Sequence, residues 1–446
     1  MRPAAAAENA GIPSVVIANT GFLVNATLTG KSWGIENIQV AEYPGALAIH
    51  SREHMQKNIR EVLVERVIAG LTQRAQASAS ADLARTARHD PIVFAGTYDE
   101  VNRYFQEQEW SDGLAIVPPT AARIEQFVSF ARRNADEEIA VLPPARLRAT
   151  PRNIAANAIM AGCEPRHMPL LIAATEALAA EEFNVNNLGS TSGILPFLFV
   201  NGPLVSELGI ACEGQLVSRG PNPALGRALG LIVRNIAGYR PGRNYMGSFG
   251  YPLAFALAEN EHASPWNPYH VDRGFERTTS TVTLGVTNNW GHAPAPASAP
   301  DRSGADITLE VLCGELRKRV RVYSLAGAGR GEHQEIVMIT ILMSPPVARA
   351  LADAGYSKRA VAEYLYENAR APRSDFDWAR RYTGGTRLGP AETEPEDQSG
   401  PPGEMLRLIS SPDVVHILVC GDPNRNRLML FEGGHAVPAT RAIRPA

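Results

Sequence analysis

Apolar positions recur along the chain with two periods, and their alternation predicts an α/β protein with open sheets and flanking helices. "IPSVVIAN" from Ile12 and "GALAIH" from Gly45 read as strands, and "HMQKNIREVLVERVIAGL" from His54 carries a helical stripe. "PIVFAG" from Pro91 and "DGLAIVPP" from Asp112 also read as strands. Each precedes a helix, with Thr97 and Thr120 in the cap positions. Two further helices meet at "AGCEPRHMP", and strands mixed with loops fill the stretch from Asn184 to about Val322. "EIVMITILMS" is a strong strand, followed by helices at Pro346 and at Lys358, the latter capped by Ser357. "DVVHILVCG" and "RLMLFEG" close the chain as strands. "APAPASAP" from Ala293 reads as a stiff proline-rich loop. No internal repeat or heptad pattern stands out.

The elements group into a partial α/β unit over residues 1–74, a linker or loop over 75–91, and a main mixed α/β domain over 92–446. A polar, Pro- and Gly-rich stretch near 386–403 is expected to be a linker or disordered. The first unit reads as a truncated half-domain, because an open parallel sheet normally begins with a strand and crossover helix ahead of Gly11.

Composition narrows the function. The 446 residues are 45% hydrophobic and 20% charged with a net charge of -3, which gives no basic footprint for nucleic acid. No apolar run reaches membrane-spanning length, and the start lacks the pattern of a signal peptide, so a cytoplasmic protein is expected. Lysine occurs only at positions 31, 57, 318 and 358. The four cysteines, Cys163, Cys212, Cys313 and Cys420, stand singly without the spacing of a structural zinc site, and a disulfide framework is not expected. The sequence requires no cofactor.

Cys163 has a distinctive position. Gly162 can end one helix, Pro165 can begin the next, and a thiol just ahead of a helix start meets free N–H groups and a favourable dipole. Arg166 and His167 add positive charge and Glu164 opposes it. A buried, inert cysteine in a helix corner is the competing reading. The Asn- and Gly-rich loops "NNLGSTSG" and "FVNGP" follow, and "SRGPNPALGRALGLIVRN" places Arg219 and Asn222 before a helix, which suits an anion as well as ordinary turn chemistry. No dinucleotide or P-loop fingerprint is present, and "GSTSG" lies off the nucleophile-elbow pattern.

"DGLAIVPPTAARIEQFV", "AANAIMAGCEPRHMPLLIAATEAL", "FVNGP", "ALGRALGLIVRN" and "AENEHASPWNPYHVDRGF" together resemble the large region of the UGSC-type (seleno)protein family. "GIPSVVIANTGF" and the helix after His54 resemble the second half of that family's small α/β domain. In the family a cysteine- or selenocysteine-containing motif precedes the equivalent of "GIPSVVI", and this chain has no cysteine before Cys163. The resemblance therefore implies either that the motif is lost or that a small partner subunit supplies it and completes the half-domain. Homo-oligomerisation is the other way to cover an open sheet edge.

The resemblance also implies one cleft formed by Cys163, Glu164 and the loop Glu259–Arg273, with Asn157, Asn201, Arg219 and Asn222 in its walls. In that loop Glu259, with Glu261 beside it, suits general acid–base work, and His262 and His270 suit proton shuttling. Trp266 suits exclusion of water, and Arg273 and Arg219 suit a substrate carboxylate or phosphate. Glu259 and His262 have the i, i+3 spacing of di-metal carboxylate helices, but in one copy only, so a metal is the lesser reading. The expectation is a bacterial enzyme subunit performing thiol-dependent redox or carbon–heteroatom bond chemistry on a small anionic substrate. The alternatives are a hydratase or lyase using Glu259, His262 and His270, and a non-catalytic subunit supporting an active partner.

Overall fold

The computed structural model describes residues 1–47, 50–73, 92–189, 193–247, 250, 253–295, 298–320, 337–383, 403–434 and 437–445. The linker expected at 75–91 and nearly all of the stretch at 386–403 lie outside them, as do Ser190 and Ser192.

The first unit contains helix α1 (Arg2–Asn9), strand β1 (Val16–Asn19), helix α2 (Leu23–Ser32) and strand β2 (Val40–Tyr43). α3 (Arg52–Asn58) and α4 (Val64–Thr72) follow, joined by one wide π turn at Ile59–Leu63. β1 and β2 pair in parallel, Val16 opposite Val40. Ala5, Val16, Ala18, Ala26, Ile35 and Ile38 form a small core on one face, and Ala41, Tyr43 and Leu63 form one on the other. The second strand thus ends at Tyr43, ahead of the expected "GALAIH" run. Pro44 cannot donate to a ladder and Gly45 takes φ +83°, which turns the chain.

A helical layer follows. α5 (Tyr98–Glu107) starts at a reciprocal capping box between Thr97 and Glu100, and Thr120 caps α6 (Ala121–Phe130). A short hairpin of β3 (Ala140–Leu142) and β4 (Leu147–Ala149) leads into α7 (Pro151–Ala161), which Gly162 ends at φ +89°. α8 (Met168–Leu178) comes next and is buried on nearly every side. Among the described residues, the apolar runs from Ile92 and from Asp112 form no strand. Ile92, Val93, Phe94 and Leu114 are exposed, Phe94 stacks on Tyr104 at 4.6 Å, and the Ile116 N–H donates to Asn102 Oδ1.

The remaining chain is a four-layer sandwich. β5 (Leu195–Asn201), α9 (Leu204–Glu207), α10 (Asn222–Ile232), β6 (Phe255–Ala258), α11 (Tyr269–Asp272) and β7 (Thr281–Thr287) form one half. β8 (Asn289–Pro294) follows immediately, then a small hairpin of β9 (Ser298–Ala299) and β10 (Arg302–Ser303), and α12 (Gly304–Arg317). The second half contains β11 (Val337–Met343), α13 (Pro345–Asp353), α14 (Lys358–Asn368), the pair β12 (Arg370–Pro372) and β13 (Met405–Arg407) around α15 (Arg373–Thr383), then β14 (Val415–Val419) and β15 (Arg427–Gly434). β16 (Ala439–Ala442) is last. The sheets have orders β16-β7-β5-β6 and β14-β11-β15-β8. In each, a central strand pairs in parallel with the strand that follows its helices and antiparallel with the next one. The fourth strand is exchanged: β8 follows β7 but pairs with β15, and β16 follows β15 but pairs with β7. A topological repeat therefore exists where the sequence shows none, since strand order is kept by pairing and not by residue identity.

The two sheets face each other through Phe197, Phe199, Leu257, Met338, Leu342, Leu418 and Phe431. Phe197 and Phe255 each lie within 5.4 Å of the Phe431 ring, centroid to centroid. α8 and α10 pack on the outer face of the first sheet with α7 against both, and α12 and α14 pack on that of the second with α13 against α12.

Candidate functional site

Glu259 begins the acidic loop at the point where β6 stops. Its N–H donates to Val200 O of β5, and the next N–H, of Asn260, donates to Val419 O at the end of β14. The loop therefore sits where strand ends from both sheets meet, the place where α/β folds gather ligand-binding groups.

Glu259 is 1% exposed. Its Oε2 accepts from Asn201 Nδ2 and from the Tyr269 N–H, both at 2.7 Å, and its Oε1 accepts from Lys358 Nζ at 3.2 Å and from the Val419 N–H at 3.5 Å. A carboxylate this deep is tolerable only with such compensation. Lys358 is the first residue of α14, where the helix dipole opposes a cation. Glu259, Asp272 Oδ2 at 3.3 Å and Asn267 O at 2.7 Å hold it there.

Glu261 is the more accessible carboxylate. One oxygen accepts from the Gly202 N–H at 2.7 Å and from Asn201 Nδ2 at 3.1 Å, and lies 3.6 Å from His270 Nδ1. Gly202 has φ +89°, and a Cβ there would fall 2.7 Å from Ser280 Cα and Thr279 O, so only glycine brings this N–H to the carboxylate. His270 is fully buried, and among the described residues neither ring nitrogen has a hydrogen-bond partner. Asn201 Oδ1 and Thr281 Oγ1 also lack one, and Asn201 and Thr281 are cross-strand neighbours on β5 and β7. Unpartnered buried polar atoms are rare and costly, and here they cluster beside a carboxylate.

Behind them lies a second layer. Tyr269 OH accepts from Arg273 Nε at 3.1 Å and Nη2 at 2.8 Å, and the same Nη2 contacts His416 Nδ1 at 2.8 Å. Burial, then the Arg273 charge, push His416 down to about 3, so it is neutral and accepts through Nδ1. Burial pushes the Tyr269 phenol up to about 12. Among the described residues Arg273 forms no ion pair, and its charge is held by these two neutral groups.

The expected residues divide into two groups. Glu259, His270, Asn201 and Arg273 come together. Trp266 lies beside them, its Nε1 donating to Tyr356 O while the ring packs on the second half's core. His262 is exposed on the turn, and Arg219 is exposed with Nη1 on Gly214 O. Asn222 is a clamp, tying both its amide atoms to Ala211 and reaching Ala256 O. Asn157 joins α7 to Asn235 at 2.7 Å, within the helical layer. Lys358, Tyr269, Thr281 and His416 were missed. Lys358 leaves one signal in the sequence, a lysine directly after an N-cap serine.

Cys163 requires a correction. Its Sγ points at Ala224 O at 3.5 Å within the helical core, and burial followed by the Glu164 charge push the thiol up to about 12. The expected thiolate is not stabilised, because the N–H groups of that corner are used otherwise. The Glu164 N–H donates to His167 Nδ1, and a 3-10 turn over Pro165–His167 separates the thiol from α8. Glu164 itself pairs with Arg166 at 2.8 Å. The thiols near the acidic loop are Cys212 and Cys420, which burial raises, with Glu261 adding to the first and Glu259 to the second. Among the described residues no three His, Cys, Asp or Glu side chains group as metal ligands.

No curated protein matches the chain. The family match lies in the first unit and does not extend into the sandwich, where the acidic loop sits. Over residues 1–73, the segment built on the β1–β2 pair, the chain matches the model of the UGSC family, in keeping with the resemblance its sequence carries there.

Proposed function

We propose that the chain is an enzyme of the hydratase or lyase class, in which Glu261 and His270 move protons on a small anionic substrate. The observation that supports this most is the fully buried His270, with two unpartnered ring nitrogens, 3.6 Å from a half-buried carboxylate. In this reading Glu261 and His270 form an acid–base pair at a carbon–heteroatom bond, Asn201 orients both acidic side chains, and Arg273 supplies the charge that attracts the anion. Glu259 and Lys358 hold the frame. Thiol chemistry through Cys163 is disfavoured by its burial and raised pKa.

The test is to incubate the protein with a bacterial metabolite extract in deuterated water and to follow substrate loss, gain or loss of water or ammonia, and deuterium uptake by mass spectrometry. Glu261→Gln and His270→Asn should each lower the resulting turnover by about 10²–10⁴-fold with the fold intact. Equal turnover by the folded variants would reject the assignment.

A second polypeptide that covers the first unit is proposed as well. Ile17 on β1 and Val64, Ile68 and Leu71 on α4 are exposed, the last three at helical spacing, and among the described residues β1 pairs with β2 alone. Light scattering of the chain, with and without the product of its neighbouring gene, decides this, and a fully active monomer would refute it. No described helix is long and apolar enough to cross a membrane. A cytoplasmic setting remains part of the proposal.

A further inference from the structure

Two of the four thiols are brought side by side by the fold. Cys212 lies in the first half of the sandwich, in the loop between α9 and α10, and Cys420 directly follows β14 in the second half. An isolated parallel bridge joins their neighbours, Glu213 to Gly421, and the Gly421 N–H donates to Cys212 O at 2.9 Å. One step back along both segments, the register of that bridge sets Cys212 beside Cys420. Adjacent strands run about 4.8 Å apart, and a disulfide joins Cα atoms about 4.4–6.8 Å apart, so the backbone spacing suits a bond. Both segments are held in place. The Cys420 N–H donates to Met343 O at 2.9 Å, and Asn222 ties the N–H and the carbonyl of Ala211.

The two thiols differ in access, as an attacking and a resolving cysteine do. Cys212 is half-exposed, whereas Cys420 is 3% exposed. Burial raises both thiols, with the Glu213 and Glu261 carboxylates adding to the first, and Glu259 and Cys212 itself adding to the second. A charge on one thiol therefore bears on the other, in keeping with the register. A dithiol is a strong oxidant when its reduced form is a stabilised thiolate, and neither thiolate is stabilised here, so a bond between them resists weak reductants. The remaining cysteines lie elsewhere, Cys163 in the helical core and Cys313 on α12.

We infer that Cys212 and Cys420 are a redox pair, oxidised to a disulfide by exchange with a small cationic disulfide. The Cys212 thiolate attacks one sulfur of the reagent RS–SR, giving Cys212–S–SR and releasing RS⁻, which takes up the proton that Cys212 lost. The Cys420 sulfur then attacks the Cys212 sulfur and expels the second RS⁻, which leaves as RSH with the Cys420 proton. The cysteines lose two electrons and the reagent gains them, leaving as two thiols. Glu213 and Glu261 beside Cys212 favour a cationic reagent over an anionic one. A pair that cycles in this way is the form in which disulfides occur in a reducing compartment. This inference does not depend on the acid–base reading of Glu261 and His270.

The experiment is incubation of the full chain with cystamine, followed by non-reducing peptide mapping, with the fold checked by circular dichroism. A linked peptide pair carrying Cys212 and Cys420 is expected, with the intact mass lower by two hydrogens and the fold kept, and dithiothreitol should reverse it. Cys420→Ala should instead stop at a mixed disulfide on Cys212, and Cys212→Ser should leave Cys420 unmodified. Should either variant fail to fold, the wild-type map decides alone. Cystamine should react several-fold faster than the anionic oxidised glutathione, and an equal or slower reaction would reject the cationic class. A lasting cysteamine adduct on Cys212 of the wild type, a link between other cysteines, two untouched thiols, or loss of the fold on oxidation would overturn the pair.

Discussion

Glu259 and Glu261 stand two residues apart and take different work from their surroundings. Glu259 has four donors and no exposed edge, so it serves as the anchor of a charge network, while Glu261 keeps contact with solvent and with His270. The density of polar residues in that loop was legible in the sequence, and four of the expected residues do converge. Cys163 shows the limit of such reading. Its place ahead of a proline-led turn was legible, but the direction its thiol points depends on α10, sixty residues away. Limiting iodoacetamide should therefore label the half-exposed Cys212 before Cys163, Cys313 and Cys420, which are buried. Mass spectrometry of the first adduct decides this, and Cys163 labelled first would restore a reactive thiol. His416 makes a second prediction at this scale. It stays neutral down to about 3 when folded, whereas an unfolded histidine takes up its proton near 6.5. Between these values the unfolded chain binds the additional proton. The contribution is fully present above about pH 6.5 and is lost as pH falls, at up to about 1.4 kcal/mol per unit. Urea midpoints measured from neutral pH downward should fall less steeply for His416→Gln, and an unchanged slope would place the acid sensitivity elsewhere.

Among the elements, those with local punctuation were readable and those defined by distant partners were not. Thr97, Thr120 and Ser357 cap the helices they were expected to cap, because the signal and the bond lie within one turn. The runs from Ile92 and Asp112 have strand composition yet find no partner strand among the described residues, and composition alone does not supply one. The contact of α10 with β6 offers a test. Gly226 approaches so closely that an added Cβ would lie 2.5 Å from Ala254 O and Phe255 Cα, both backbone atoms that cannot yield. Alanine favours a helix by up to about 1 kcal/mol, but overpacking against a strand costs about 1–3 kcal/mol. Gly226→Ala should thus lower stability in urea unfolding, and a gain would mean that the helix can shift away from the sheet.

At the scale of the molecule, the α/β class was legible and the sandwich was not, since face-to-face packing of two sheets leaves only alternation and glycine in the sequence. Gly285 illustrates this: a Cβ there would fall 2.6 Å from Phe197, its cross-strand neighbour on β5, and 2.7 Å from Met338 of the facing sheet. The exchanged strands tie the halves into one body. β16 covers β7 while its Arg441 reaches Glu182 at 3.2 Å in the helical layer. A chain ending after Gly434 should elute as a larger species than the full chain on size exclusion, because it leaves β7 with an open edge. An unchanged elution volume and urea midpoint would show that β16 is dispensable.

The exchange also constrains how the chain is made. β8 emerges early and must stay without its partner for the roughly 130 residues between Pro294 and Arg427, and the first sheet stays one strand short until Ala439–Ala442 appear. The second sheet closes only once Arg427–Gly434 have left the ribosome and the first only once Ala439–Ala442 have, and until then the growing chain offers two adhesive edges to whatever is near.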